Sequence, residues 1–279
     1  MRGIRGIDRI ARETASRYGR HAGSQLAAGI AYRVLFSLVP LIALVVSTLD
    51  LVLPSEVRKD IVDWVFHKLP GQGIESAVNK SVAHPGATAP IVGLVAVVGL
   101  LWAASGMMAS IRVAFRVVWE VRGPTYVRAK LRDFLLVGLA ALLILLAFGV
   151  SFAVQLVSQA GKGLSDVLGL EGAARIAGAA AELAGGLLIG FVALAVVYSV
   201  VPPVRVRFAD VWPVAVLAAV AVEVLIRGFA VYAARTSLNH VYGPLGTVFA
   251  FLLLIYLLGT ILLVGAELIA ERQSSAETP

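Results

Sequence analysis

The chain has 279 residues, of which 59% are hydrophobic and only 15% charged, with no cysteine and a formal net charge of +7; its mean hydropathy is +0.89. Soluble domains carry about 45–50% apolar and about 25% charged residues, so this composition describes a polytopic membrane protein, which the apolar runs below make all-α. It excludes disulfides, thiolate metal sites and cysteine nucleophiles.

Residues 1–24 come first. Ile4, Ile7, Ile10, Ala11, Thr14 and Tyr18 recur at spacings of three and four, while Arg2, Arg5, Arg9, Arg12 and Arg20 take the opposite arc. The pattern predicts an interfacial amphipathic helix, its apolar face in lipid and its arginines among anionic headgroups. The plainer alternative is packing against the protein's own loops.

A helical span needs roughly 20 mostly apolar residues, and six segments within 25–271 qualify: Leu26–Leu53, Pro90–Ala109, Phe134–Ser158, Leu183–Val201, Val211–Tyr232 and Pro244–Ala270. Their apolarity is continuous, which predicts helices and not the alternating strands of a barrel. The first run is too long for the core of a cleavable signal and reads as an uncleaved first span. Between the first two spans, in 55–89, Val57, Ile61, Trp64, Val65 and Leu69 keep helical spacing until Pro70-Gly71. With a weaker run at Ile74, Val78 and Val82, this predicts a short external helical hairpin. Residues 272–279 form a tail.

Six spans put alternate loops on opposite sides, and 15 Lys and Arg residues fall on the side of the two termini against 7 on the other. The positive-inside rule then predicts both termini in the cytoplasm. The basic residues hug a membrane face, so their partners are predicted to be membrane lipids with anionic headgroups, and no nucleic acid is expected.

Ionisable residues inside spans are functional candidates, because inserting them costs several kcal/mol unless they are paired or hydrated. Arg33 lies near the start of the first span and Glu267 near the end of the last. The expectation is that Arg33 snorkels to the headgroups, pairs with Glu267, or lines a polar cavity with it. Glu223 and Arg227 stand at i and i+4 in the fifth span and share a helix face, as an intrahelical pair or as part of a solute pathway. Pro40 removes a backbone donor in mid-span and predicts a helix bend within the bundle. Gly185, Gly186 and Gly190 predict close helix packing, within one chain or across a homo-oligomer. Arg112, Arg116 and Glu120 form an i, i+4, i+8 row, a basic extension of the second span suited to headgroups or, more ambitiously, to a gate or partner-docking arm.

The four histidines, His21, His67, His84 and His240, are scattered without metal-ligand spacing. Neither a phosphate-binding glycine loop nor a GxSxG elbow occurs. No cofactor, metal or catalytic residue is expected, and the chain reads as a non-enzyme.

Three stretches carry a family resemblance: AYRVLFSLVPLIAL (Ala31–Leu44), LWAASGMMASIRVAFRVVWEVRG (Leu101–Gly123) and VYGPLGTVFAFLLLIYLLGTILLVGAELIAE (Val241–Glu271). They resemble the YihY/BrkB family of bacterial inner-membrane proteins, most specifically through Tyr242, Gly243, Leu245, Gly246, Gly265, Ala266, Glu267 and Leu268. The chain departs from the usual family pattern at Phe115, Trp119, Pro213-Val214 and Tyr256. Family members have been called ribonuclease BN and virulence factor BrkB. The nuclease label suits this sequence poorly, since it has no cluster of ligands. The resemblance implies six spans and a role in the envelope, as a transporter of lipid or another amphipathic solute or as a non-transporting scaffold.

Overall fold

A computed structural model describes residues 12–52, 89–121, 171–235 and 244–277. Among them all regular structure is helical. A helix over 12–20 precedes α1 (Gly23–Val52), α2 (Ala89–Val118), α3 (Glu171–Val200), α4 (Phe208–Arg235) and α5 (Pro244–Glu277). Three stretches are long and apolar enough to cross a membrane: Ile176–Val200, Phe208–Tyr232 and Val248–Ser274. Each covers the core of an expected span. The first two expected spans fall on α1 and α2, while Phe134–Ser158, residues 55–88 of the external hairpin expected over 55–89, and Arg2, Arg5 and Arg9 lie outside the described residues. Large apolar side chains such as Leu188, Leu217 and Val224 are exposed along α3 and α4. In water such a surface would be unfavourable; in a bilayer it faces its natural solvent.

The chain forms two compact units. The first comprises Met1–Ser24, Ile111–Ile226 and Thr260–Pro279. Here α3 and α4 form an antiparallel hairpin, turned at Pro202-Pro203, where no backbone N–H is available to continue the helix. The positions where a Cβ would meet the other helix define the register: Gly186 faces the Glu223 carboxylate and Gly190 faces Ala219, 3.5 Å away. Two of the three expected packing glycines thus sit on a helix–helix contact. The core of this unit is formed by Phe115, Val118, Tyr198, Val211, Val214, Leu263 and Ile269. The Phe115 and Tyr198 rings stack at 6.3 Å. Tyr198 donates its hydroxyl to the Leu262 carbonyl at 3.0 Å, which satisfies the phenol inside the apolar core.

The second unit comprises Gln25–Ser110 and Arg227–Gly259. Its α1 runs without interruption through Pro40. Ala27, Ile30 and Ala31 are buried on one face of α1. A Cβ at Gly259 of α5 would lie 3.5 Å from Ala27, so these two helices approach through small residues.

Candidate functional site

Two polar arrangements stand out, one in each unit. In the first unit the helix over 12–20 lies along α5. Thr14 Oγ1 donates to Glu271 Oε2 at 2.8 Å, and Arg17 Nε donates to Glu267 Oε2 at 3.1 Å. The His21 Nδ1 donates to Glu267 Oε1 at 2.5 Å. Tyr18 and Thr260 share a longer hydroxyl contact of 3.4 Å. From Thr14 to Tyr18 the partners on α5 fall from Glu271 through Glu267 to Thr260, so the two run antiparallel. The local sequence accounts for the match. Thr14, Arg17 or Tyr18, and His21 recur every three or four residues, as do Glu267 and Glu271, so each row occupies one helix face.

The clamp also holds the end of α2. Arg17 Nη2 donates to the Val118 carbonyl at 3.3 Å, one of the carbonyls a helix end leaves without an intrahelical partner. The α2 helix stops in a Schellman turn, with Val121 N–H donating to Arg116 O and Glu120 N–H to Val117 O. This sets Glu120 at φ 53°, and its carboxylate lies 3.3 Å from His21 Nε2. Both imidazole nitrogens therefore face a carboxylate oxygen. Trp119 Nε1 donates to Gln273 at 3.0 Å, and Gln273 Nε2 to the Arg205 carbonyl at 3.3 Å. Glu267 is almost wholly buried, with 1% of its side chain exposed, against 20% for Arg17. A carboxylate at that depth is tolerable because two donors compensate its lost hydration.

The second arrangement is an open groove of about 610 Å³ between α1 and α2, lined by Gly29, Tyr32, Arg33, Phe36, Gly99, Trp102, Ala103, Gly106 and Ser110. Arg33 Nη1 donates to the Gly106 carbonyl at 3.1 Å. Tyr32 and Phe36 are more than half exposed, with ring centroids 4.5 Å apart, and Trp102 is 79% exposed.

These contacts correct several expectations. Glu267 meets Arg17 and His21, and Arg33 meets the Gly106 carbonyl, partners the expected pairing did not include. Thr14 and Tyr18, expected on a lipid-facing arc, turn toward α5. Arg12, on the opposite arc, is exposed. Arg112, expected among headgroups, is buried, and Arg116 is half-buried. Glu223 is partly exposed beside Gly186, and Arg227 is exposed on α4. His21, dismissed as an isolated histidine, stands at the centre of the clamp. Its spacing from Thr14 and Arg17 was the available signal, matched by the i, i+4 carboxylates of α5.

The fold and sites define a polytopic α-helical membrane protein. The family described as virulence factor BrkB matches residues 14–279, and the chain belongs to that family. It is similar to a UPF0761 membrane protein of Chromohalobacter salexigens, 30% identical over 277 residues, 95% of this chain and 63% of the relative. A UPF0761 membrane protein of Xanthomonas campestris pv. campestris strain 8004 is 30% identical over 269 residues, 91% of this chain and 58% of the relative. One from Xanthomonas oryzae pv. oryzae strain PXO99A is 31% identical over 258 residues, 88% and 56% of the two chains. The chain thus spans about three-fifths of the length of the curated relatives it matches. No solved structure matches it. Family and membrane-length helices together make it a multi-pass protein of the bacterial inner membrane.

Proposed function

We propose that the chain is a six-span protein with both termini in the cytoplasm, and that it moves lipid or another amphipathic, anionic solute in envelope maintenance. The observation that carries this reading is Arg33, an exposed guanidinium in an open groove of α1 and α2. It lies seven residues past the expected start of the first span at Leu26, roughly 10 Å along the helix. A cation at such a depth is costly unless it meets water or an anion, and the groove gives room for either. Glu223 and Arg227 are further candidates for the pathway. Arg2, Arg5, Arg9, Arg12 and Arg116 serve the headgroup surface in this reading, Gly185, Gly186 and Gly190 support packing or a homo-oligomer, and no enzymatic step or cofactor is invoked.

The test is reconstitution of the purified protein in liposomes containing headgroup-labelled lipid. Wild-type protein should redistribute label between leaflets, and Arg33→Ala should slow it. Redistribution no faster than in empty vesicles removes the transport reading. A scaffold role in envelope assembly is the second reading. Glu267 favours it, because this intramembrane charge is consumed by structural contacts.

A further inference from the structure

The groove of the second unit has features that specify more than a generic amphipathic solute. Arg33 is an exposed residue whose guanidinium Nη1 donates to the Gly106 carbonyl at 3.1 Å. A guanidinium has five N–H donors, so one such bond fixes its position and leaves enough for a bidentate grip on phosphate. Position 106 is tuned to this: a Cβ there would stand 2.9 Å from Nη1, so any larger residue displaces the guanidinium. Around the cation, Tyr32, Phe36 and Trp102 present exposed rings. Gly29, Gly99 and Gly106 leave the space open, and among the described residues no carboxylate lines it.

We propose that this groove seats an anionic phospholipid from the bilayer, with Arg33 holding the phosphate, the three rings flanking the start of the acyl chains, and Gly106 acting as the positioning residue for Arg33. A fixed cation with no carboxylate among the described lining residues favours a phosphodiester lacking an ammonium group. The ammonium of a zwitterionic headgroup meets the same guanidinium unfavourably. The apolar walls select a lipid over a free anion. This inference rests on the lipid-handling reading of the protein and names the class of lipid.

The test reads binding alone, through Trp102. The full chain is reconstituted in phosphatidylcholine nanodiscs doped with brominated phosphatidylglycerol or brominated phosphatidylcholine. The Trp102 contribution is the difference between wild-type and Trp102→Phe fluorescence. Brominated phosphatidylglycerol should quench it at a concentration on the order of tenfold lower, the scale of the like-charge contact between choline ammonium and guanidinium that it avoids. Arg33→Gln should abolish the preference and Gly106→Ala should weaken it. Arg33→Lys, which keeps the charge and loses the fork, should fall between wild type and Arg33→Gln, and it takes the place of any variant that is not recovered monodisperse. Equal quenching by the two lipids in the wild type, or an unchanged preference in Arg33→Gln or Arg33→Lys, overturns the proposal. So does loss of the preference on adding excess inorganic phosphate, which would mark a soluble-anion site. Leaflet redistribution does not enter this readout, so a failed transport assay and a failed lipid site are separate results.

Discussion

The Nδ1 nitrogen of His21 lies 2.5 Å from a carboxylate oxygen of Glu267, although 246 residues separate them in the chain. The other oxygen of the same carboxylate accepts from Arg17. One buried acid of α5 therefore anchors two successive turns of the N-terminal segment, and Arg17 and Glu120 extend the tie to the end of α2.

Breaking that tie at its buried member should be costly. Glu267→Ala leaves Arg17 and His21 facing a space without an acceptor, with an expected loss of about 3 kcal/mol. Arg17→Ala should cost less, since Arg17 is partly solvated and His21 still donates to the acid. Equilibrium unfolding in mixed micelles for the two variants and their combination gives the coupling energy, expected to be about 1 kcal/mol or more. Additive effects would mean that the pair carries no coupling.

Thr14→Val keeps the shape of the side chain and removes the donor to Glu271. Thr14 is 5% exposed and Glu271 8%, so the carboxylate loses a bond that water replaces poorly. The expected cost is about 1–2 kcal/mol. Thr14→Ser, which retains the hydroxyl, should recover part of it in the same unfolding measurement. Equal losses for both substitutions would assign the effect to the methyl group.

Glu120 occupies a left-handed conformation, which costs a residue with a Cβ about 1 kcal/mol relative to glycine. Its ion pair with His21 is long, and its side chain is 72% exposed. Glu120→Ala keeps the strain and loses the pair, whereas Glu120→Gly loses both. Glu120→Gly should therefore be more stable than Glu120→Ala by about 1 kcal/mol. Melting temperatures in one detergent, ranked in the opposite order, would contradict the Schellman turn at this site.

Gly265 faces the phenol of Tyr198, and a Cβ at position 265 would collide with its hydroxyl and ring. Gly265→Ala must push Tyr198 out of register with Phe115 and Leu262, and should destabilise by about 1–3 kcal/mol. Tyr198→Phe removes the hydroxyl and relieves part of the clash. In the Tyr198→Phe background Gly265→Ala should thus cost less than in wild type. An unchanged cost would show that ring and glycine do not meet.

The membrane class was legible from composition. The last three expected spans also fell on helices, because a span needs enough apolar length to cross the hydrocarbon, although the expected start at Leu183 lies well inside α3, which begins at Glu171. The α3–α4 contact was signalled by Gly186 and Gly190, since only small residues let two helix backbones approach so closely. The charge partners were not legible. Arg33 and Glu267 seemed matched by depth, but depth fixes only one coordinate. The rotation of each helix about its axis decides which residue an arginine meets. Arg112 likewise looked like a headgroup ligand by its spacing from Arg116, yet it is buried.

The N-terminal segment makes the same point from the other side. Its periodicity was read as a lipid-facing arc that included Thr14 and Tyr18, because a helix that packs on protein and one that lies on a bilayer show the same amphipathic spacing. What distinguishes them is whether a complementary row exists on another helix, and Glu267 and Glu271 form that row far away in the chain.

By itself, the sequence determined that this protein is helical, that it lives in lipid and which family it belongs to, since those follow from the solvent each residue prefers and from local motif. Only the tertiary structure decided that Glu267 serves Arg17 and His21 and that Arg33 sits in a groove on the Gly106 carbonyl. Such pairings depend on helix register and rotation, which are fixed by packing between residues distant in the chain.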